Sequence, residues 1–246
     1  EKPAVVFAPH VETASGMRLP DSYLKTVAEA VREVDGLFVL DCVASGALWV
    51  DMKACGVDVL ITAPQKGWTA SSCAALIGFS DRAITRLEHT TSSSFAMDLK
   101  KWFQIMKAYE DGGHAYHATV PTDTLAVLRN AMNATLEAGI ETVYQKQEEL
   151  GTKVRALLSE FGFKSVAAKG FEAPGVVVVH TTDVNLHNTS AFRNQGLQIA
   201  AGVPLACDES DQFRTFRLGL FGLDKLNNVD ETVARLRKAL EAIVTT

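Results

Sequence analysis

The sequence predicts an α/β protein with a mostly parallel sheet covered by helices on both faces, followed by a smaller α+β unit. Three observations predict it. Continuous apolar runs of strand length recur in the first third. An amphipathic helical stretch separates the first two of them, as a crossover between parallel strands requires. A long helical stretch then gives way to a short unit in which strands and helices alternate again.

The runs "AVVFA" (4–8), "GLFVLDCV" (36–43), "DVLIT" (58–62) and "AALIGF" (74–79) read as strands, because unbroken apolar residues suit a sheet buried on both sides. Between the first two, "PDSYLKTVAEAVREV" (20–34) carries Leu24, Val27, Val31 and Val34 at steps of three and four, one face of a helix. "MDLKKWFQIMKAYEDGG" (97–113) reads as a helix closed by its glycine pair. Residues 121–162 read as one long, mainly helical stretch with Leu125, Leu128, Met132, Leu136, Ile140 and Val143 as its stripe. A helix of that length suits a bridge between two bodies, so domains are expected at 1–140 and 141–246. In the second, strands are expected at "GVVVVHT" (175–181) and "RTFRLGL" (214–220), with a helix near 188–196. A final helix opens at Asn228 and Glu231 and carries Val229, Val233, Leu236, Leu240 and Ile243.

Composition narrows the function classes. Of 246 residues, 47% are hydrophobic and 22% charged, with a net charge of -5, so the chain reads as an ordinary globular protein. No basic stripe suggests nucleic acid, and no apolar run is long enough for a membrane span. The four cysteines, Cys42, Cys55, Cys73 and Cys207, show no paired spacing and read as reduced, apolar residues of a cytoplasmic protein. His10, His114 and His117 show no metal-ligand spacing and are assigned no chemistry. "EKPAVVFAPH" has no signal-peptide pattern and enters an apolar run within five residues, which suggests a piece of something longer.

Lys66 lies just beyond "DVLIT", and Asp41 ends "LFVLD". Ligands of open α/β sheets bind outside the carboxyl ends of the strands, so both side chains are candidates for one crevice. The pair fits a plain ion pair. It also fits pyridoxal phosphate chemistry, in which a lysine amine bonds to the cofactor aldehyde and a carboxylate keeps the pyridine nitrogen protonated.

"HVETASG" (10–16), "VLDCVAS" (39–45), "TAPQKGW" (62–68), "HAYHATVP" (114–121) and "FRLGL" (216–220), in this order, resemble class V aminotransferases of the pyridoxal phosphate fold type I. Within that family the resemblance is to the alanine–glyoxylate and serine–pyruvate branch. It implies pyridoxal 5'-phosphate as cofactor, a Schiff base on Lys66 and Asp41 as the pyridinium partner. It implies Thr13 as a hydroxyl bonding the cofactor, Val43 packing under the ring and Gln65 as a polar neighbour. Tyr116 and Thr119 would reach the cofactor phosphate of the other subunit of a homodimer, and Arg217 would clamp the substrate carboxylate. The implied reaction is transamination between alanine or serine and glyoxylate or pyruvate. From residue type alone, Thr13 also reads as a turn residue, Tyr116 and Thr119 as loop residues, and Arg217 as a surface charge with Arg214 as its rival.

Two other classes stay open. A lyase of the cysteine desulfurase type shares the scaffold, but that branch has a histidine before the lysine, where this chain has Gln65, and a mobile catalytic cysteine, where no cysteine here is expected on a mobile loop. A truncated, non-catalytic interaction subunit is the other. Family members carry an N-terminal part that supplies the first strands and a phosphate-binding loop, and residues 1–60 contain no glycine-rich phosphate loop.

Overall fold

A computed structural model describes residues 2–244. In chain order the elements are β1 (Val5–Pro9), β2 (Val11–Glu12), β3 (Met17–Arg18), α1 (Asp21–Glu33), β4 (Leu37–Asp41), α2 (Met52–Cys55), β5 (Val59–Thr62), β6 (Leu76–Phe79), α3 (Asp81–Glu88) and α4 (Leu99–Glu110). There follow α5 (Thr122–Ala138), α6 (Ile140–Glu160), β7 (Val176–His180), α7 (Val184–His187), α8 (Ser190–Asn194), β8 (Ala200–Ala201), β9 (Thr215–Gly219), α9 (Leu223–Leu226) and α10 (Val229–Val244).

The first sheet has the order β1-β4-β5-β6. β1, β4 and β5 run parallel, with Pro9 opposite Asp41 and Asp41 opposite Ile61. β6 runs antiparallel to β5, a direction that its apolar run does not encode. One face of β4 places Phe38 and Leu40, both fully buried, against Leu24, Ala28 and Val31 of α1, with Val6 and Ala8 of β1 beside them. The helical spacing of α1 and the alternation of the strands thus meet in one core. On the opposite face of edge strand β1, Val5 and Phe7 are exposed, Phe7 at 70%. A half-buried ion pair ties α3 to the sheet: the buried Asp58 accepts from Arg82 at 2.9 Å and from the Phe38 N–H at 2.9 Å.

The expected single helix over 121–162 is two helices. Gly139 breaks it with φ +86, a conformation that L side chains rarely adopt, and α6 restarts at Ile140. The helix expected near 188–196 is α8, and a further short helix, α7, precedes it.

The second sheet is fully antiparallel, in the order β7-β9-β8. β7 is buried on both faces, which explains its four consecutive valines. Val177 and Val179 join Phe216 and Leu218 of β9 in a core with Leu150, Val154, Leu157 and Leu158 of α6 and Leu236 and Leu240 of α10. Val176 and Val178 face the other way and pack with Val11, Ala44, Leu48 and Ala173. α10 buries the stripe the sequence marks, with Val233 and Ile243 at its margin. The Asn228 side chain donates to the Asp224 carbonyl at 3.0 Å.

Candidate active site

Parallel pairing brings the carboxyl ends of β1, β4 and β5 to the same side of the first sheet. Beyond these ends lie three of the residues singled out in the sequence. Thr13 follows β1 in the β2–β3 hairpin, Asp41 closes β4, and Lys66 follows β5.

The hairpin is shaped by Glu12. Its carboxylate accepts from the Ala14 and Ser15 N–H groups, each at 2.7 Å, and from the Ser15 hydroxyl at 2.6 Å. Burial alone would raise the Glu12 pKa. The bonds from Ser15 and Ala14, with Arg217 nearby, outweigh burial and hold it below the usual carboxylate value.

Asp41 is exposed at the strand end, and its Oδ1 accepts from the Val43 N–H at 2.8 Å. Val43 is half-buried beside it. Lys66 sits in a turn closed by Thr69 N–H to Lys66 carbonyl and Ala70 N–H to Pro64 carbonyl bonds, both 3.0 Å. Among the described residues its Nζ makes no hydrogen bond or ion pair; its neighbour is the Phe221 ring, 5.7 Å away at the centroid. A plain ion pair with Asp41 is therefore not formed. Gln65 is exposed.

Gly67, next to Lys66, lies against Gly46 in the loop after β4. A Cβ at Gly67 would overlap the Gly46 carbonyl oxygen. Gly46 itself has φ +66. The lysine turn and the aspartate loop are thus in backbone contact, which a side chain at position 67 would prevent.

Arg217 reaches this group from the second sheet. On β9, Phe216 and Leu218 enter the core while Arg217 points to the opposite side, as the alternation predicts. Its Nε donates to Ala201 at 2.7 Å and its Nη1 to the Thr13 carbonyl at 3.3 Å. A guanidinium has five N–H donors, so these two bonds aim the group and leave three donors for a ligand. Beside Arg217, the space over Gly219 is bordered by the Phe221 ring, 3.7 Å from the Gly219 Cβ position.

Tyr116 and Thr119 lie on the exposed loop between α4 and α5, their hydroxyls 3.1 Å apart. No hydrogen bond among the described residues links them to Lys66 or Asp41. Cys42 and Cys55 are buried as expected, and burial pushes the Cys42 thiol up to about 12. Cys207 departs from the expectation: it is exposed, on the loop between β8 and β9.

Sequence reasoning passed over His10, which is buried directly behind Asp41. Its N–H donates to the Asp41 carbonyl at 2.8 Å, and its Nδ1 lies 2.8 Å from the Ser45 hydroxyl. Burial, assisted by Arg18, pushes its pKa down to about 4. Its place as the first residue of HVETASG was the available signal.

These residues suit a pyridoxal-type cofactor: beyond the strand ends lie an amine and a carboxylate oxygen with no hydrogen-bond partner among the described residues, and a guanidinium bonded to the Thr13 hairpin. The model of the family Aminotransferase class-V matches residues 1–231, and the chain belongs to that family. It is 29% identical to an alanine–glyoxylate aminotransferase of Oryctolagus cuniculus, over 98% of this chain and 61% of that protein. It is 24% identical to an L-aspartate–glyoxylate aminotransferase of Paracoccus denitrificans, over 89% of this chain and 54% of that protein. The crystal structure of an alanine–glyoxylate aminotransferase from Nostoc sp. superimposes with a TM-score of 0.83 at 25% identity, over 99% of this chain and 62% of that one. The chain thus spans about three fifths of the length of such relatives.

His10 yields a prediction about stability. A histidine with a pKa near 6.5 unfolded and about 4 folded binds more protons in the unfolded state between those values. Stability therefore rises with pH across this window and is lost as pH falls from 6.5 toward 4. The full effect approaches about 3 kcal/mol. Urea unfolding of the unsubstituted chain and of His10→Gln at pH 7 and pH 5 should show a smaller acid loss in the variant. Equal losses would show that His10 does not control the slope.

Proposed function

We propose that this chain provides the amine, the pyridinium partner and the substrate arginine of a pyridoxal 5'-phosphate-dependent aminotransferase acting on small amino acids. The observation that carries the reading is the convergence of Thr13, Asp41 and Lys66 beyond three adjacent parallel strand ends, with Arg217 bonded across to Thr13. When bound, the cofactor supplies an aldehyde for the amine and an electron sink for the bond to be broken. Lys66 Nζ would hold the cofactor through that aldehyde and, once an amino acid occupies the site, would accept the proton lost from the substrate Cα. Asp41 would keep the ring nitrogen protonated, Val43 would pack against the ring, and Thr13 and Gln65 would bond its polar rim. Arg217 holds the substrate carboxylate. Alanine as donor and glyoxylate as acceptor fit the names of the relatives, while serine and pyruvate rest on the motif resemblance alone.

We read residues 1–140 as part of the large cofactor domain and 141–246 as the connecting helix and small domain, in a cytoplasmic enzyme. The small domain then delivers Arg217 to the large one. Tyr116 and Thr119, exposed and distant in bonding from Lys66, suit a role across a homodimer, at the cofactor phosphate of the second chain.

Two experiments test this reading. Arg217→Ala should lower kcat/KM for alanine by about 100-fold, since charge-assisted bonds to a carboxylate contribute roughly 1.5–3 kcal/mol each. Arg217→Lys should recover only part, because an ammonium cannot form the planar fork. An amine without a carboxylate should be unaffected. Equal losses for alanine and the simple amine would make Arg217 structural. For the shared site, a Lys66→Ala chain mixed with a Thr119→Ala chain should regain activity in the hybrid dimer, which contains one intact site. Proven hybrids with no recovery would refute sharing.

A further inference from the structure

Phe221 is the neighbour of Lys66 that neither the strand pattern nor the family resemblance marks. Its ring centroid is 5.7 Å from Lys66 Nζ, within the range over which a ring face attracts an ammonium group. The ring cannot easily move. It is wedged among three glycines: Cβ atoms at Gly46 and Gly175 would approach it to 3.1 Å, and one at Gly219 to 3.7 Å. Gly175 and Gly219 have ordinary backbone angles, so what they provide is space for this ring. The residue before it is held twice: the Leu220 N–H donates to the Gly175 carbonyl at 2.9 Å, and its carbonyl accepts from the buried Gln147 amide at 3.2 Å. The ring packs against the core formed by Val11, Ala44, Leu48, Ala173, Val176 and Val178. Gly46 thus touches both the Phe221 ring and the backbone of Gly67.

Resting on the reading of Lys66 as the covalent amine, we propose that Phe221 is a positioning residue that fixes the Lys66 side chain over its ring and so aims Nζ at the cofactor aldehyde. Two effects of the ring oppose each other. Favouring the charged amine slows attack, by no more than about five-fold at a partly exposed site. Losing the aim costs more, since misplacement of a reacting atom by 1 Å costs up to about 100-fold. Aim therefore decides the sign, and removing the ring slows capture.

The test measures covalent capture rather than turnover. The full chain is mixed with pyridoxal 5'-phosphate. Lys66 Nζ condenses with the aldehyde carbon, water leaves, and borohydride then delivers hydride to that carbon to leave a stable secondary amine. Peptide mass mapping gives the rate at Lys66 relative to exposed Lys25 and Lys169. Phe221→Leu should lower this ratio about 10-fold, while Phe221→Tyr, which keeps the ring, should stay within about two-fold of the unsubstituted chain. A Phe221→Leu ratio equal to or above that of the unsubstituted chain would overturn the proposal. So would equal slowing in Leu and Tyr variants with matching falls in Tm, because the role would then be packing alone. If Lys66 is not captured even in the unsubstituted chain, the reading of Lys66 falls and the inference with it. That outcome differs from normal Lys66 capture unaffected by Phe221→Leu, which removes the inference alone.

Discussion

The contact between Gly46 and Gly67 is the constraint on which the rest of the site depends. Asp41 and Lys66 belong to neighbouring strands, but strand pairing fixes only the strand ends, and each residue is followed or preceded by loop. The loops are brought into register where the Gly67 backbone lies on the Gly46 carbonyl, closer than any side chain at position 67 permits. Gly46 accepts a left-handed backbone at the same point. Its other side borders the Phe221 ring and the Gln147 amide. One small residue therefore links the aspartate loop, the lysine turn, the second sheet and α6.

Helix α6 holds this junction from behind, using buried polar groups rather than apolar ones. Gln147 is fully buried, and its Nε2 donates to the Pro174 and Leu220 carbonyls at 3.4 and 3.2 Å. Both acceptors require the nitrogen there, which orients Oε1 toward Gly46, where it has no partner among the described residues. An unpaired buried acceptor costs about 1–3 kcal/mol, so this orientation is retained against stability. About two turns further along α6, Arg155 donates to the carbonyls of Ala173 at 2.8 Å, Val176 at 3.2 Å and Gly16 at 3.3 Å. Its charge offsets convergent carbonyl dipoles where the Thr13 hairpin meets the second sheet. Glu148, between them on the helix, pairs with Arg18 of the same hairpin. Arg217 then bonds to a hairpin already fixed at two other points.

The parts of this account that were legible in the sequence are those set by periodicity. The α1 and α10 stripes, the doubly buried β7 and the outward position of Arg217 all follow from repeats of 3.6 or 2. Asp41 and Lys66 were legible because strand ends are predictable from apolar runs. What stayed hidden depends on contacts between distant segments. Gln147 reads as a solvated helix residue until the segment 173–175 and Leu220 close over it. Phe221 reads as a loop aromatic until three glycines from separate segments surround it. The break at Gly139 was hidden for a different reason: the apolar stripe continues through it, and one glycine in a helical pattern does not by itself signal a positive φ. The direction of β6 was open because a continuous apolar run is the same read either way.

A crystal structure of the borohydride-reduced protein with pyridoxal 5'-phosphate tests the central claim most directly, namely that the two-glycine contact sets Lys66 and Asp41 around a single cofactor. Density should run unbroken from Lys66 Nζ into the cofactor, with an Asp41 carboxylate oxygen about 2.7–2.9 Å from the ring nitrogen, the length of a charge-assisted bond. A cofactor joined to another lysine, or a ring nitrogen facing away from Asp41, would contradict the account.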